Sequence, residues 1–204
     1  MKKQNRKKTN IQIYIKLILI FAIIGGCYYY LFHDTNSIEG YTIDNLSIKH
    51  QFLTVNPYSR SGQPLHKVKG IVVRYTANPK SSAKSNRNYF ENLKDTHTTK
   101  ASSHFIIGLN GEIIQCIPLN EISYASNNRN KDTISIECCH PDQSGRFTNE
   151  TYNSLQKLVR SLMKTYDLEK DDIIRHYDIT GKECPKYFVT YPYKWEEFKN
   201  SLDN

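Results

Sequence analysis

The sequence predicts an α/β fold: a single domain with a mixed central β-sheet flanked by helices, preceded by an N-terminal transmembrane helix. Short runs of β-branched and apolar residues predict strands, and segments with apolar residues at helical spacing lie between them. A length of 204 residues suits one domain with a short appendage. The predicted parts are a basic cytoplasmic segment (1–10), a membrane anchor (11–32), a tether that partly packs on the domain (33–67) and the domain itself (68–204).

The elements of the domain are predicted in the order β-α-β-β-β-α-β, followed by a C-terminal helix. Apolar residues recur every three or four positions in 149–166, which makes this segment the clearest helix. Asn110-Gly111, between two apolar runs, predicts a hairpin with a tight primed turn. The predicted strands are 70–75, 103–109, 112–117, 133–139 and 173–176, and the predicted helices are 82–93, 149–166 and 195–202.

The positive charge of the chain is concentrated at its N-terminus. The formal net charge is +8, but no acidic residue precedes Asp34. Residues 17–204 are therefore close to neutral, which excludes a basic nucleic-acid-binding domain. The six bases of the N-terminal stretch are Lys2, Lys3, Arg6, Lys7, Lys8 and Lys16.

The apolar segment from Ile11 to Phe32 predicts a single membrane span. It holds 22 residues with one charge, Lys16, and as a helix it would extend roughly 33 Å, about the thickness of a hydrocarbon core. The preceding bases predict a cytoplasmic N-terminus and an extracytoplasmic domain at a bacterial cell membrane. A cleaved signal peptide is a weaker alternative, because the run from Tyr28 to Phe32 does not supply the small residues of a cleavage site well. The other alternative is a lipoprotein signal ending at Cys27.

Four residues of the domain are candidates for chemistry. His176, at the end of a predicted strand, and Cys184, in the loop that follows, are both suited to zinc, although a purely structural role is open for each. Lys182 could stabilise an oxyanion or could be an ordinary loop lysine. Glu137 alternates with apolar residues on a buried strand, so it is either a general base or the partner of a basic residue.

A catalytic zinc ion normally has three protein ligands. The expected place for the third ligand is the end of the first strand, next to the last strand, where the sequence has Arg74. An arginine side chain stays protonated and has no lone pair to offer a metal. The pair of His176 and Cys184 is therefore incomplete as a zinc site.

From about Lys69 to Phe188 the chain resembles the zinc-dependent N-acetylmuramoyl-L-alanine amidases, the family of phage lysozyme-type amidases and peptidoglycan recognition proteins. The resemblance implies an α/β amidase fold, one zinc ion and hydrolysis of the amide between N-acetylmuramic acid and L-alanine in peptidoglycan. The matching motifs are Ile71 to Ala77, Ser102 to Ile107 with Asn110 to Ile113, Tyr124 to Asn128, Ser135 to Glu137, and Arg175 to Asp178 with Lys182 to Pro185.

The resemblance implies a role for each matching position. His176 and Cys184 would be zinc ligands. Glu137 would be the catalytic acidic residue, and Lys182 would stabilise the transition state. Arg74 replaces a histidine ligand, and His104 matches a family histidine that is not normally a ligand.

The expected function is a membrane-anchored peptidoglycan amidase with a zinc-activated water, whose activity depends on the consequence of Arg74. The first alternative is a non-catalytic peptidoglycan-binding module on the same fold. The second is a cysteine hydrolase that uses Cys184 and His176.

Overall fold

The computed structural model describes residues 40–43 and 46–203. The predicted basic segment and membrane anchor, with Cys27, lie outside these residues. Within the described part of the chain, no helix is both long and apolar enough to cross a bilayer. The strands are β1 (Gly40–Ile43), β2 (Leu46–His50), β3 (Ile71–Tyr75), β4 (Phe105–Ile107), β5 (Ile113–Gln115), β6 (Ile134–Cys138) and β7 (Ile173–Arg175). The helices are α1 (Ala83–Thr96), α2 (Asn149–Tyr166), α3 (His176–Thr180), α4 (Lys186–Thr190) and α5 (Pro192–Asn200), with 3-10 turns at Asn127–Lys131, Lys170–Asp172 and Ser201–Asp203.

The strands form a mixed sheet in the order β1-β2-β5-β4-β6-β3-β7. β3 lies between β6 and β7 and is parallel to both, and β4 is parallel to β6. β5 is antiparallel to β4 and parallel to β2, whereas β1 is antiparallel to β2. The carboxyl ends of β3, β6 and β7 consequently meet at the same edge of the sheet.

Both faces of the sheet are covered by apolar clusters. Ile134, Ile136 and Cys138 of β6 belong to the larger cluster, together with the apolar stripe of α2. Cys139 belongs to the smaller cluster on the other face, together with apolar residues of α1. This distribution follows from the alternation of side chains along a strand.

The two long helices begin where a hydroxyl side chain binds a free backbone N–H group. The Ser82 Oγ accepts a hydrogen bond from Ser85 N (3.1 Å), and the Thr148 Oγ1 accepts one from Thr151 N (3.0 Å). Such caps stabilise a helix because its first N–H groups have no partner within the helix. The helix predicted for 149–166 has these same bounds in the structure.

Three details differ from the sequence-based prediction. Two strands, β1 and β2, lie in the segment interpreted as a tether, and β2 joins the main sheet with Ile48 fully buried. The hairpin turn is not primed: Gly111 N donates to Gly108 O (3.0 Å), and the positive φ occurs only at Gly111 (79°), not at Asn110. The last strand ends at Arg175, and His176 begins α3.

The turn at Gly111 requires glycine for two reasons. Its positive φ is rarely adopted by other residues. A Cβ atom there would also lie 2.7 Å from Ser154 Oγ and 2.9 Å from Glu150 O of α2. The hairpin therefore packs closely against the start of α2, which explains why the Asn-Gly signal is found here although the turn type is different.

Candidate active site

Three neighbouring parallel strands, β6, β3 and β7, bring three predicted site residues together. Arg74 of β3 is opposite Glu137 of β6 in the sheet register. Val73 is opposite Arg175, so His176 follows directly at the end of β7. Residues in register on neighbouring parallel strands point to the same face. The pairing of β3 with β7 thus places Arg74 beside the last strand, as the sequence predicted.

The start of α3 holds His176 in place at this edge. The Asp178 Oδ2 accepts a hydrogen bond from Arg175 N (2.8 Å), and Arg175 Nη1 donates to Phe188 O (3.0 Å). These contacts connect the strand end to the first turn of the helix and to α4. His176 as a residue is 5% exposed.

The loop after α3 carries Lys182 and Cys184 to the same region. Gly181 ends α3 with a φ of 73°, which reverses the chain direction. Tyr177 N donates to Cys184 O (2.8 Å), which ties the loop back to the first turn of α3. Cys184 is buried, whereas Lys182 is exposed.

A cleft of about 180 Å³ opens at this edge of the sheet. Arg74, Glu137, Lys182 and Cys184 all line it. Its other walls include aromatic side chains, among them Tyr75, Tyr89 and Tyr124. A second cavity of about 200 Å³ lies elsewhere, next to Arg146, Tyr187 and Lys194, and is lined by none of the predicted site residues.

The central contact of the cleft is an ion pair between Arg74 and Glu137. Arg74 Nε lies 3.0 Å from Glu137 Oε1, and the two side chains are 17% and 8% exposed. Arg74 Nη1 also donates to Ala125 O. The Nε group is too poorly aligned with Oε1 for a hydrogen bond, and Glu137 Oε2 has no hydrogen-bond partner among the described residues.

The electrostatics of Glu137 reflect two opposing influences. Burial raises the pKa of its carboxyl group above the ordinary value, while the positive charges of Arg74 and Lys182 lower it. The sequence left open that Glu137 is the partner of a basic residue, and the structure shows such a partner in Arg74. The charge of Arg74 weakens the affinity of this carboxylate for a proton, which works against its use as a base.

His176 and Cys184 are uncharged in this environment. Burial, together with the nearby charges of Arg74 and Lys182, lowers the pKa of His176 to about 4. Burial and the carboxylate of Glu137 raise the pKa of Cys184 to about 11. Near neutral pH the pair therefore consists of a neutral imidazole and a protonated thiol.

A catalytic zinc ion with three protein ligands does not fit these residues. Both ring nitrogens of His176 are buried without a hydrogen-bond partner in the described chain, which is a state that a metal would relieve. However, no group of three His, Cys, Asp or Glu side chains in the described residues could hold a metal ion. Arg74, which stands where the family resemblance implies the third donor, has no lone pair for a metal, and its charge would repel a cation.

His104 cannot supply the missing ligand. It is fully buried, and both of its ring nitrogens are engaged. Ser135 N donates to His104 Nδ1 (3.1 Å), and Nε2 lies 2.9 Å from the carbonyl oxygen of Glu121. Because Nδ1 accepts, Nε2 carries the proton and donates to that carbonyl. Burial also lowers the pKa of His104 to about 4, so the residue is a neutral part of the core.

The geometry does not support a cysteine nucleophile. A Cys–His pair requires a hydrogen bond between the thiol and the imidazole, but His176 makes no such bond. The high pKa of Cys184 further disfavours the thiolate. The four cysteines of the described residues, Cys116, Cys138, Cys139 and Cys184, are all buried and free.

Two neighbours of the site were not predicted from the sequence. Ala125 contributes its carbonyl oxygen to Arg74, and a backbone contact of this kind leaves no signal in a sequence. His140 is buried, its ring centroid lies 5.1 Å from that of Tyr75, and its Nδ1 lies 2.7 Å from Asp142 O. Its position just after the end of β6 was the signal that could have found it.

Solved structures and curated sequences resemble the chain over the part that contains this site. A mutant endolysin from Bacillus subtilis superposes with a TM-score of 0.65 at 29% identity, covering 77% of this chain and 99% of that structure. The N-acetylmuramoyl-L-alanine amidase CwlL of Bacillus licheniformis is 35% identical over 166 residues, which is 75% of this chain and 46% of CwlL.

A second protein of Bacillus licheniformis, described as a probable N-acetylmuramoyl-L-alanine amidase, is 33% identical over 78% of this chain and 48% of its own length. The chain thus spans about half the length of these curated relatives. Residues 64–187 match the sequence profile of N-acetylmuramoyl-L-alanine amidases. The match covers more than half of the chain and contains Arg74, Glu137, His176 and Cys184. On this match and these relatives, the chain belongs to the N-acetylmuramoyl-L-alanine amidase family of hydrolases.

Proposed function

We propose that the domain acts on peptidoglycan, at the amide between the lactyl group of N-acetylmuramic acid and L-alanine. The observation that supports this most directly is that Glu137 and Lys182 line one cleft, on the positions that family resemblance makes catalytic. The names of the relatives, N-acetylmuramoyl-L-alanine amidases, refer to the same bond. Aromatic side chains along the cleft are suited to pack against sugar and peptide groups.

Within this proposal the residues of the chain have separate roles. Glu137 takes a proton from the attacking water and later transfers one to the departing amine of L-alanine. Lys182, exposed at the cleft, offsets the negative charge that develops on the carbonyl oxygen. His176 and Cys184 are the two donors that a family zinc ion would use, but the third donor is missing. Hydrolysis by the chain with Arg74 is therefore expected to be slow.

A second candidate function is peptidoglycan binding without cleavage. The ion pair of Arg74 with Glu137 favours it, because the carboxylate needed as a base is held 3.0 Å from a guanidinium. The guanidinium of Arg74 replaces part of the positive charge that a metal would bring. The cleft can then retain the shape needed for recognition while its turnover is suppressed.

The experiment that tests both candidates combines binding with bond cleavage. Purified full-length chain is incubated with bacterial sacculi, and the released peptides and new amino termini are identified by mass spectrometry. We expect retention on sacculi, with slow release of L-alanine-terminated peptides that stops in Glu137→Gln. Retention without any release would select the non-catalytic module. Absence of both retention and release would contradict the proposed peptidoglycan function.

We also propose that residues 11–32 anchor the chain in a bacterial cell membrane, with residues 1–10 in the cytoplasm and the domain outside. The apolar length of this segment, which holds one charge, and the bases before it support the proposal. The full chain should stay in the membrane fraction after an alkaline carbonate wash, and Cys27→Ser should stay there equally. Loss of Cys27→Ser from the membrane would instead support a lipoprotein, and solubility of the unaltered chain would exclude both.

A further inference from the structure

The charged side chains that line the cleft carry a net positive charge. The charged residues that line it are Arg74, Lys182 and Glu137. One carboxylate therefore faces two cations. Lys182 is exposed and makes no ion pair within the described residues. The site is consequently suited to a ligand with one negative charge.

Arg74 retains the capacity to bind such a ligand. Its Nε is next to Glu137 and its Nη1 donates to Ala125 O, but Nη2 has no hydrogen-bond partner in the described part of the chain. Thr76 Oγ1, also on the cleft, is buried without a partner among these residues. A guanidinium group pairs with a carboxylate more strongly than with a neutral amide, because the hydrogen bonds are charge-assisted.

The chemistry of the proposed substrate indicates which carboxylate would lie there. Hydrolysis breaks the C–N bond, the oxygen of water bonds to the lactyl carbonyl carbon, and the amine of L-alanine takes up a proton. The lactyl group changes from a neutral amide to a carboxylate in this step. Since Glu137 acts at this carbonyl in the proposed reaction, Arg74, 3.0 Å from Glu137, lies next to the atoms that acquire the charge.

We propose that the cleft of this chain binds the free lactyl carboxylate of N-acetylmuramic acid residues from which the peptide has been removed, in preference to the intact amide. The inference rests on the proposed peptidoglycan function and names a ligand for the same site. Arg74 and Lys182 are the residues that recognise the carboxylate. The domain then recognises glycan strands that an amidase has already processed.

Carboxylates also occur in the stem peptide, so the test must separate the two sources. The probes are N-acetylmuramic acid, its neutral carboxamide, N-acetylglucosamine, which lacks the lactyl group, and the dipeptide L-alanyl-D-glutamate. Binding of each to the full-length chain is measured by calorimetry. We expect N-acetylmuramic acid to bind about tenfold more tightly than its carboxamide, since a charged hydrogen-bond partner strengthens such a contact.

Substitutions test whether the cleft is responsible for the preference for N-acetylmuramic acid over its carboxamide. Lys182→Met and Arg74→Met should each reduce it, and the exposed position of Lys182 keeps the test valid if loss of Arg74 disturbs folding around Glu137. Arg146→Met removes the same charge at the separate cavity and should leave the preference unchanged. Sacculi pretreated with an amidase should retain more of the unaltered chain than intact sacculi do.

Two results would overturn the inference. The first is equal affinity for the acid and its carboxamide in the unaltered chain, and the second is binding of the dipeptide in place of N-acetylmuramic acid. If intact and amidase-treated sacculi are retained equally well, the inference fails while the peptidoglycan function stands. If neither kind of sacculus is retained, the proposed function itself fails.

Discussion

Arg74→His is expected to create a zinc site and to raise the rate of amide hydrolysis by at least about 100-fold, the lower range of what one acid–base group contributes. His176 and Cys184 are already buried at this edge of the sheet, and both ring nitrogens of His176 have no hydrogen-bond partner in the described residues. The substitution supplies a third donor and removes the cation that opposes a metal. It also releases Glu137 from its ion pair.

The zinc content of the purified protein and the cleavage of sacculi are the two readouts. We expect about one zinc ion per Arg74→His chain, in line with a three-ligand site, and none in the unaltered chain. Arg74→Gln is the matched control, because it removes the charge without providing an imidazole. Arg74→His combined with Cys184→Ser should lose the metal again. A metal-free Arg74→His protein, or an Arg74→Gln protein with equal activity, would contradict this explanation of Arg74.

Phe198→Ala should destabilise the domain by about 3–5 kcal/mol, the usual cost of truncating a buried aromatic residue. Phe198 is fully buried on α5. Its ring centroid lies 5.4 Å from that of Trp195 and 5.6 Å from those of Phe188 and Tyr152. The substitution leaves a cavity among side chains of three helices, and they cannot all move in to fill it.

Chemical denaturation of the full chain measures this loss, and the midpoint of thermal unfolding should fall by roughly 6–20 °C. Phe198→Leu, which keeps most of the apolar volume, should cost clearly less. Lys194→Ala provides a surface control on the same helix, since its ion pair with Glu197 is exposed and contributes little. A loss below about 1.5 kcal/mol for Phe198→Ala would mean that the aromatic cluster relaxes around the gap.

The central elements could be predicted because their sequence patterns agree with their tertiary surroundings. The stripe of apolar residues in α2 has a period near 3.6 and buries one face, so both ends of the helix were predicted correctly. β6 alternates between two apolar clusters in the same way. By contrast, β1 and β2 lie within the segment interpreted as a tether, and β2 forms through pairing with β5, which is distant in sequence.

The proximity of the candidate residues to one another could be predicted from the sequence. Glu137 and His176 occur at the ends of strands, and Lys182 and Cys184 occur in a loop that must return to the same edge. Parallel pairing of β3 with β6 and β7 brings these ends together. The same topology accounts for the correct placement of Arg74, since its position depends only on which strands are neighbours.

The amino-acid sequence by itself determined the fold class, the order of the central elements and the likeness to the amidase family, and it has Arg74 where that likeness implies a zinc ligand. The tertiary structure decided how that arginine is used: its guanidinium pairs with Glu137 and binds the carbonyl oxygen of Ala125. It also decided that His104 is engaged by Ser135 and by the backbone of Glu121. The physical reason is that hydrogen bonds and ion pairs depend on distances of about 3 Å between groups far apart in sequence, and only the packed sheet brings those groups within reach.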